Sequence, residues 1–112
     1  MSQINSFRDL IVFQKAFHLA MEIFQISGNF PKEEKYSLTD QVRRSSRSIG
    51  ANVAHFVSKL TDSDGKNAET EHWIETVFAC CYISDEQRKY LLFLLLEVRI
   101  KRQWNKRLKR MG

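Results

Sequence analysis

Residues 7–27 read FRDLIVFQKAFHLAMEIFQIS, and this stretch decides the fold. Leu10, Phe13, Phe17, Ala20 and Phe24 recur at steps of three and four residues, and so do Val12, Ala16, Leu19, Ile23 and Ile26. That spacing is the period of an α-helix, because a strand shows the same face at every second residue. Ser6 with Asp9 three residues on opens the helix in the manner of a capping box, and Gly28-Asn29 closes it. At about 100° per residue the two stripes lie about 110° apart, which leaves only the side of Gln14, Lys15, His18, Glu22 and Gln25 for water. One stripe is expected in the chain's own core. The second, Val12, Ala16, Leu19, Ile23 and Ile26, then needs cover from outside and is expected to be an interface between copies.

Further helices follow. Pro31 lacks a donor and disfavours a helical Phe30, so residues 29–36 form a connection, with Phe30 and Tyr36 expected to tuck onto the bundle. Ser37 with Asp40 starts a second helix carrying Leu38, Val42, Ile49, Val53 and Phe56, kept thin by Ser45, Ser46, Ser48, Ala51 and Ala54. Turn residues between Ser58 and Lys66 predict a break, and a third helix is expected over Asn67 to Cys81 with Ala68, Trp73 and Val77 inward. Ser84-Asp-Glu-Gln87 is a capping box for a fourth helix reaching about Arg110, roughly 40 Å long. Leu91, Leu94, Leu95, Val98 and Ile100 supply its buried side. The pattern predicts an all-α, antiparallel up-and-down four-helix bundle whose third helix is shortened.

A length of 112 residues suits one domain over 1–112, and 4 glycines, 1 proline and 2 cysteines exclude collagen-like, low-complexity and disulfide-framework chains. Spanning a bilayer takes ~20 apolar residues, and the most apolar run, Tyr90 to Leu96, ends at Glu97, so no membrane partner is expected. No signal-peptide pattern opens the chain, which points to the cytoplasm. Cys80 and Cys81 are adjacent, where a mutual disulfide would be strained, and are expected as free thiols on a buried helix face.

The net charge of +5 is unevenly placed. Residues 97–112 hold seven cations (Arg99, Lys101, Arg102, Lys106, Arg107, Lys109 and Arg110) against Glu97, a balance of +6, while residues 1–96 hold eleven bases and twelve acids, a balance of −1. Such asymmetry is expected of a chain that meets a polyanion at one end. Arg43, Arg44 and Arg47 form a second basic cluster, and arginine's planar fork suits phosphate. Tyr36, His55 and Trp104 are candidates to stack unpaired bases. The competing reading of Arg43 and Arg47 is pairing within the protein, and that of the C-terminal segment is a solvated helix end favoured by the helix dipole.

Catalytic patterns are missing. The sequence has one Glu-x-x-His pair, Glu69 with His72, where a di-iron bundle needs two and further inward carboxylates, so no metal or other cofactor is expected. There is no phosphate-binding glycine loop, zinc-protease motif or serine nucleophile elbow, and the chain is expected not to be an enzyme.

FRDLIVFQKA at 7–16, FPKEEKYSLTDQVRRSSRSI at 30–49 and ANVA at 51–54 together resemble the bacterial four-helix-bundle proteins, also called 23S rRNA intervening-sequence proteins. AETEHWIE at 68–75 and CYIS at 81–84 are similar to the family's third helix and the start of its fourth. The resemblance implies a homopentamer, which would cover the second stripe of the first helix. It places the family's Arg-Arg motif on Arg43 and Arg44, its Ser-Ile on Ser48 and Ile49, and its asparagine on Asn52. Relatives of similar fold include the accessory variability determinants of diversity-generating retroelements, which bind nucleic acid and a reverse transcriptase. The function expected is a non-catalytic, homo-oligomeric scaffold for RNA or DNA, with RNA favoured and a reverse transcriptase as a further partner. The alternative is a protein-interaction module without nucleic-acid binding.

Overall fold

The computed structural model describes the backbone of residues 11–56 and 63–111, and the side chains of residues 11–51 and 66–101. Four α-helices run up and down: α1 (Ile11–Ser27), α2 (Leu38–Phe56), α3 (Ser63–Ala79) and α4 (Asp85–Met111). A single 3₁₀ turn, Lys32–Glu34, lies in the first connection, and no strand occurs among the described residues. α1 packs on α2 and α4, and α3 packs on the same two from the other side. α1 and α3 are 17 residues each and α4 is 27, which gives a long axis of 48 Å against 24 Å across.

The expected boundaries hold least well at α3. It includes Ser63, four residues before the expected Asn67, and spans 17 residues as described. Ser63, Asp64 and Gly65 have turn chemistry, but a weak local preference of about 1 kcal/mol for glycine yields to helix continuity.

Val12, Ala16, Leu19 and Ile23 are all at most 2% exposed and form the α1 wall of the core, together with Val42, Ile49, Ile74, Val77, Leu91, Leu94, Leu95 and Val98. These are the α1 residues expected to face another copy. The assignment is reversed: Phe17 and Phe24, expected inside, are more than half exposed, and Phe13, Ala20 and Ile26 are half-buried. The reason is steric. Compact aliphatic side chains on α1 meet the aliphatic residues of α2 and α4, whereas the ring stripe turns toward the thin side of α2. Leu10 and Phe7 lie outside the described residues, as do the side chains of Val53, Phe56 and Leu60.

Local chemistry fixes the helix ends. At α4 the Ser84 N–H donates to Gln87 Oε1 at 2.9 Å and the Gln87 N–H donates to Ser84 Oγ at 3.0 Å, the reciprocal pair the sequence predicts. At α2 the predicted partner is not used: Ser37 Oγ donates to Glu34 instead of serving a box with Asp40. α3 ends in a Schellman turn, with the Tyr82 N–H on the Val77 carbonyl and the Cys81 N–H on the Phe78 carbonyl, both at 2.9 Å. Cys81 occupies the left-handed position at φ 63°, where glycine would be unstrained. This turn lifts Cys80 and Cys81 into solvent, contrary to the expected buried face.

Phe30 is buried and its ring lies 5.5 Å from that of Tyr82, tying the α1–α2 connection to the α3–α4 turn, while Tyr36 is 87% exposed and does not tuck. Ser45 and Ser46 are buried with their hydroxyls bonded to the carbonyls of Val42 and Arg43, so α2 stays thin without orphaned oxygens. α3 is less tidy. The amide of Asn67, the Thr70 hydroxyl and the Trp73 indole N–H are buried with no hydrogen-bond partner.

Candidate nucleic-acid interface

The arginines of α2 separate into different jobs. Arg43 Nε donates to Ser27 Oγ at 2.7 Å and its Nη2 to the Phe24 carbonyl at 3.3 Å, with the guanidinium carbon 4.5 Å from the centre of the Phe24 ring. Three contacts on the last turn of α1 make Arg43 a brace, so it is withdrawn from the predicted phosphate-binding set. A cation at the negative end of the α1 dipole is favourable there as well. Arg44 is loosely paired with Asp40 at 3.6 Å and its side chain is 67% exposed. Arg47 is exposed with no ion-pair partner among the described residues. Arg44 and Arg47, one turn apart, line a shallow depression of about 250 Å³ with Ser48 and Ala51.

On α4, Arg99 is spent within the chain, donating from Nη1 to Glu71 Oε1 at 2.8 Å. Lys101 is half-buried and has no carboxylate partner among the described residues. The side chains of Arg102, Lys106, Arg107, Lys109 and Arg110 lie outside the described residues, though the helical backbone continues through all five positions to Met111. Tyr36 is exposed with Lys35 Nζ 5.3 Å from its ring centre, so it remains free to stack, whereas His55 and Trp104 fall among side chains not described. One continuous basic face on the bundle is therefore not what the described cations make. They form a small arginine edge on α2, and Lys101 stands separately on α4.

Ion pairs between helices, which helical spacing could not reveal, hold α3 to α4. Arg88 grips Glu75 through both Nε and Nη2, the latter at 3.0 Å, and its guanidinium lies 5.0 Å from the Phe78 ring. The hydrogen bond from Arg88 holds the Glu75 carboxyl below its ordinary range, and the same bond raises Arg88 further. Lys15 pairs with Glu97 at 3.0 Å and fixes α1 against α4. Tyr90 is raised by desolvation and, next, by the nearby Glu22.

Glu69 pairs with Lys66 at 3.4 Å and the His72 ring stacks edge-on against Trp73 at 4.9 Å, which gives the lone Glu-x-x-His pair ordinary structural partners. Among the described residues no three His, Cys, Asp or Glu side chains gather as metal ligands. No helix among them is long and apolar enough to cross a membrane.

A feature the sequence reading missed is a cleft of about 270 Å³ between α1 and α2, lined by Phe13, Phe17, Ala20 and Met21 on one side and Ser46, Arg47, Gly50 and Ala51 on the other. Ser46 and Ala51, two of the residues that keep α2 thin, line this cleft. Its signal in the sequence was the run of small residues on α2 together with the ring-bearing stripe of Phe13 and Phe17 on α1.

A family model described as 23S rRNA-intervening sequence protein matches residues 8–101. The match spans the bundle and stops before Arg102, the first of five cations in the last eleven residues. No curated protein matches the chain.

Proposed function

The chain belongs to the 23S rRNA-intervening sequence protein family, and on that premise we propose that it is a non-catalytic, homo-oligomeric scaffold that binds RNA. The observation that carries the reading is the segregation of charge: residues 97–112 have a balance of +6 and the remaining chain −1. Cations on a helix neutralise phosphates and release counterions, which supplies affinity without reading sequence. Arg43 is held by neutral acceptors of α1 and Arg99 by the Glu71 carboxylate, so the grip falls to Lys101 and the five cations beyond it. In its finer form the scaffold is a pentamer in the cytoplasm and an accessory to a reverse transcriptase, with several weak grips combining on one strand.

Five phosphates neutralised on single-stranded RNA give a slope near −3.5 for log affinity against log salt, at about −0.7 per phosphate. Truncation after Lys101 removes five cations and should flatten that slope while leaving the far-UV spectrum of the bundle. An unchanged slope would remove the C-terminal run as the contact. RNA binding that is insensitive to salt, or absent at low salt, would remove the function.

The exposed phenylalanines of α1 favour a second reading, a protein-interaction module that retains one protein partner and no RNA at ordinary salt. RNA retention by the purified chain separates the two.

A further inference from the structure

Among the described residues the bundle leaves two apolar surfaces uncovered that bear on self-association, at different corners. The first is concave: Phe17 and Met21 of α1 overlook Gly50 and Ala51 of α2 across the cleft of about 270 Å³. Gly50 is part of its lining, and an added Cβ there would make an ordinary contact with the Phe13 ring at 3.9 Å. The second is convex. Phe93, Leu96 and Ile100 of α4 are 57%, 49% and 56% exposed and form a ridge, while Leu91, Leu94, Leu95 and Val98 fill the core from the same helix. Among the described residues α2 and α4 do not contact one another, and they lie across a diagonal of the bundle.

The two surfaces also carry opposite charges. Arg47 sits at the edge of the cleft without a partner among the described residues. Glu86 is exposed two turns before Phe93 on the same face of α4, and it too lacks a partner among the described residues. Each surface thus has the side chain that the other needs.

We propose that the occupant of the cleft is a second copy of this chain: the α4 ridge of one copy seats between α1 and α2 of the next, with Glu86 brought to the arginine edge. The inference rests on the homo-oligomeric part of the function proposed above and says which surfaces make it. Contact between unlike patches is head-to-tail, so it propagates until a rotation closes it into a ring, unlike the self-complementary contact of a two-fold dimer. The first α1 stripe, rather than the buried second one, is then the part of α1 that touches a neighbour.

Light scattering on three proteins tests this: the full chain, Phe17→Glu in the cleft and Phe93→Glu on the ridge, each side chain being more than half exposed. The full chain should have the mass of several copies, and each variant alone that of one 13.2 kDa chain. An equimolar mixture of the two variants should form a pair and go no further, since it holds one intact cleft and one intact ridge per pair. Phe17→Ser and Phe93→Ser serve the same design if circular dichroism shows a glutamate variant unfolded. A Phe93 variant that keeps the full-chain mass, or variants that stay single when mixed, would overturn the ridge-in-cleft contact and leave the oligomer standing. A full chain that is itself single would overturn both, and RNA retention would still be judged separately.

Discussion

Replacing Arg43 by methionine separates a brace from a phosphate contact. The substitution removes the 2.7 Å bond to Ser27, the 3.3 Å bond to the Phe24 carbonyl and the guanidinium above the Phe24 ring. A charged donor in a good hydrogen bond contributes about 1.5–3 kcal/mol, and the lower figure applies because Ser27 Oγ keeps its own bond to the Phe24 carbonyl and is not orphaned. The cation above the ring adds about 0.5 kcal/mol at a half-exposed site. The expected loss is about 2 kcal/mol, or ~8 °C in Tm for a domain of this size. Urea unfolding followed by circular dichroism, at one fixed protomer concentration, measures it. RNA affinity across a salt series, measured below the melting range, should keep its slope. A variant as stable as the parent whose slope falls by about 0.7, the contribution of one phosphate on a single strand, would refute the brace and return Arg43 to the RNA surface.

Leu19→Ala should cost about 3 kcal/mol in urea unfolding, because Leu19 is fully buried in the core; a cost below 1 kcal/mol would mean the wrong α1 stripe has been placed inside. Cys81→Gly should stabilise by about 1 kcal/mol by relieving the left-handed cysteine, read as a higher urea midpoint, and a lower midpoint would contradict the Schellman turn. Glu75 titrates below its ordinary range in the folded chain, so its stabilising effect is complete above the unfolded carboxyl's pKa and is lost as pH falls through the folded one. Glu75→Gln should therefore flatten the acid side of a stability–pH profile, and an unchanged acid side would show that the Arg88 pair does not contribute.

Legibility in the sequence followed the range of the interaction. The Ser84–Gln87 capping box spans four residues, and both of its hydrogen bonds form as written. The helical period of α1 was equally plain, yet which stripe faced inward was not, because both have five apolar residues and only the shape of the opposing helices decides between them. The same limit applied to the cations. Arg43 looks like Arg47 in sequence, and the difference between them is a contact to Ser27, sixteen residues away, with the end of α1. Cys81 gave no sign of a left-handed turn because the usual glycine is missing, and Gly65, which looked like a breaker, lies inside α3.

The orphaned polar groups of α3 bear on how the molecule comes apart. An unmade buried bond costs about 1–3 kcal/mol, and Asn67, Thr70 and Trp73 regain water the moment α3 swings away from the other helices. Among the described residues α3 is thus the helix with the most buried polar groups left without a bond, held mainly by aliphatic contacts and by the clasps of Glu71 and Glu75 on α4. Its amide protons should exchange with deuterium ahead of those in the middle of α1 and α4, as a panel that opens before the frame gives way. Each opening also parts Arg88 and Arg99 of α4 from Glu75 and Glu71, so the two helices lose their clasps together rather than one at a time.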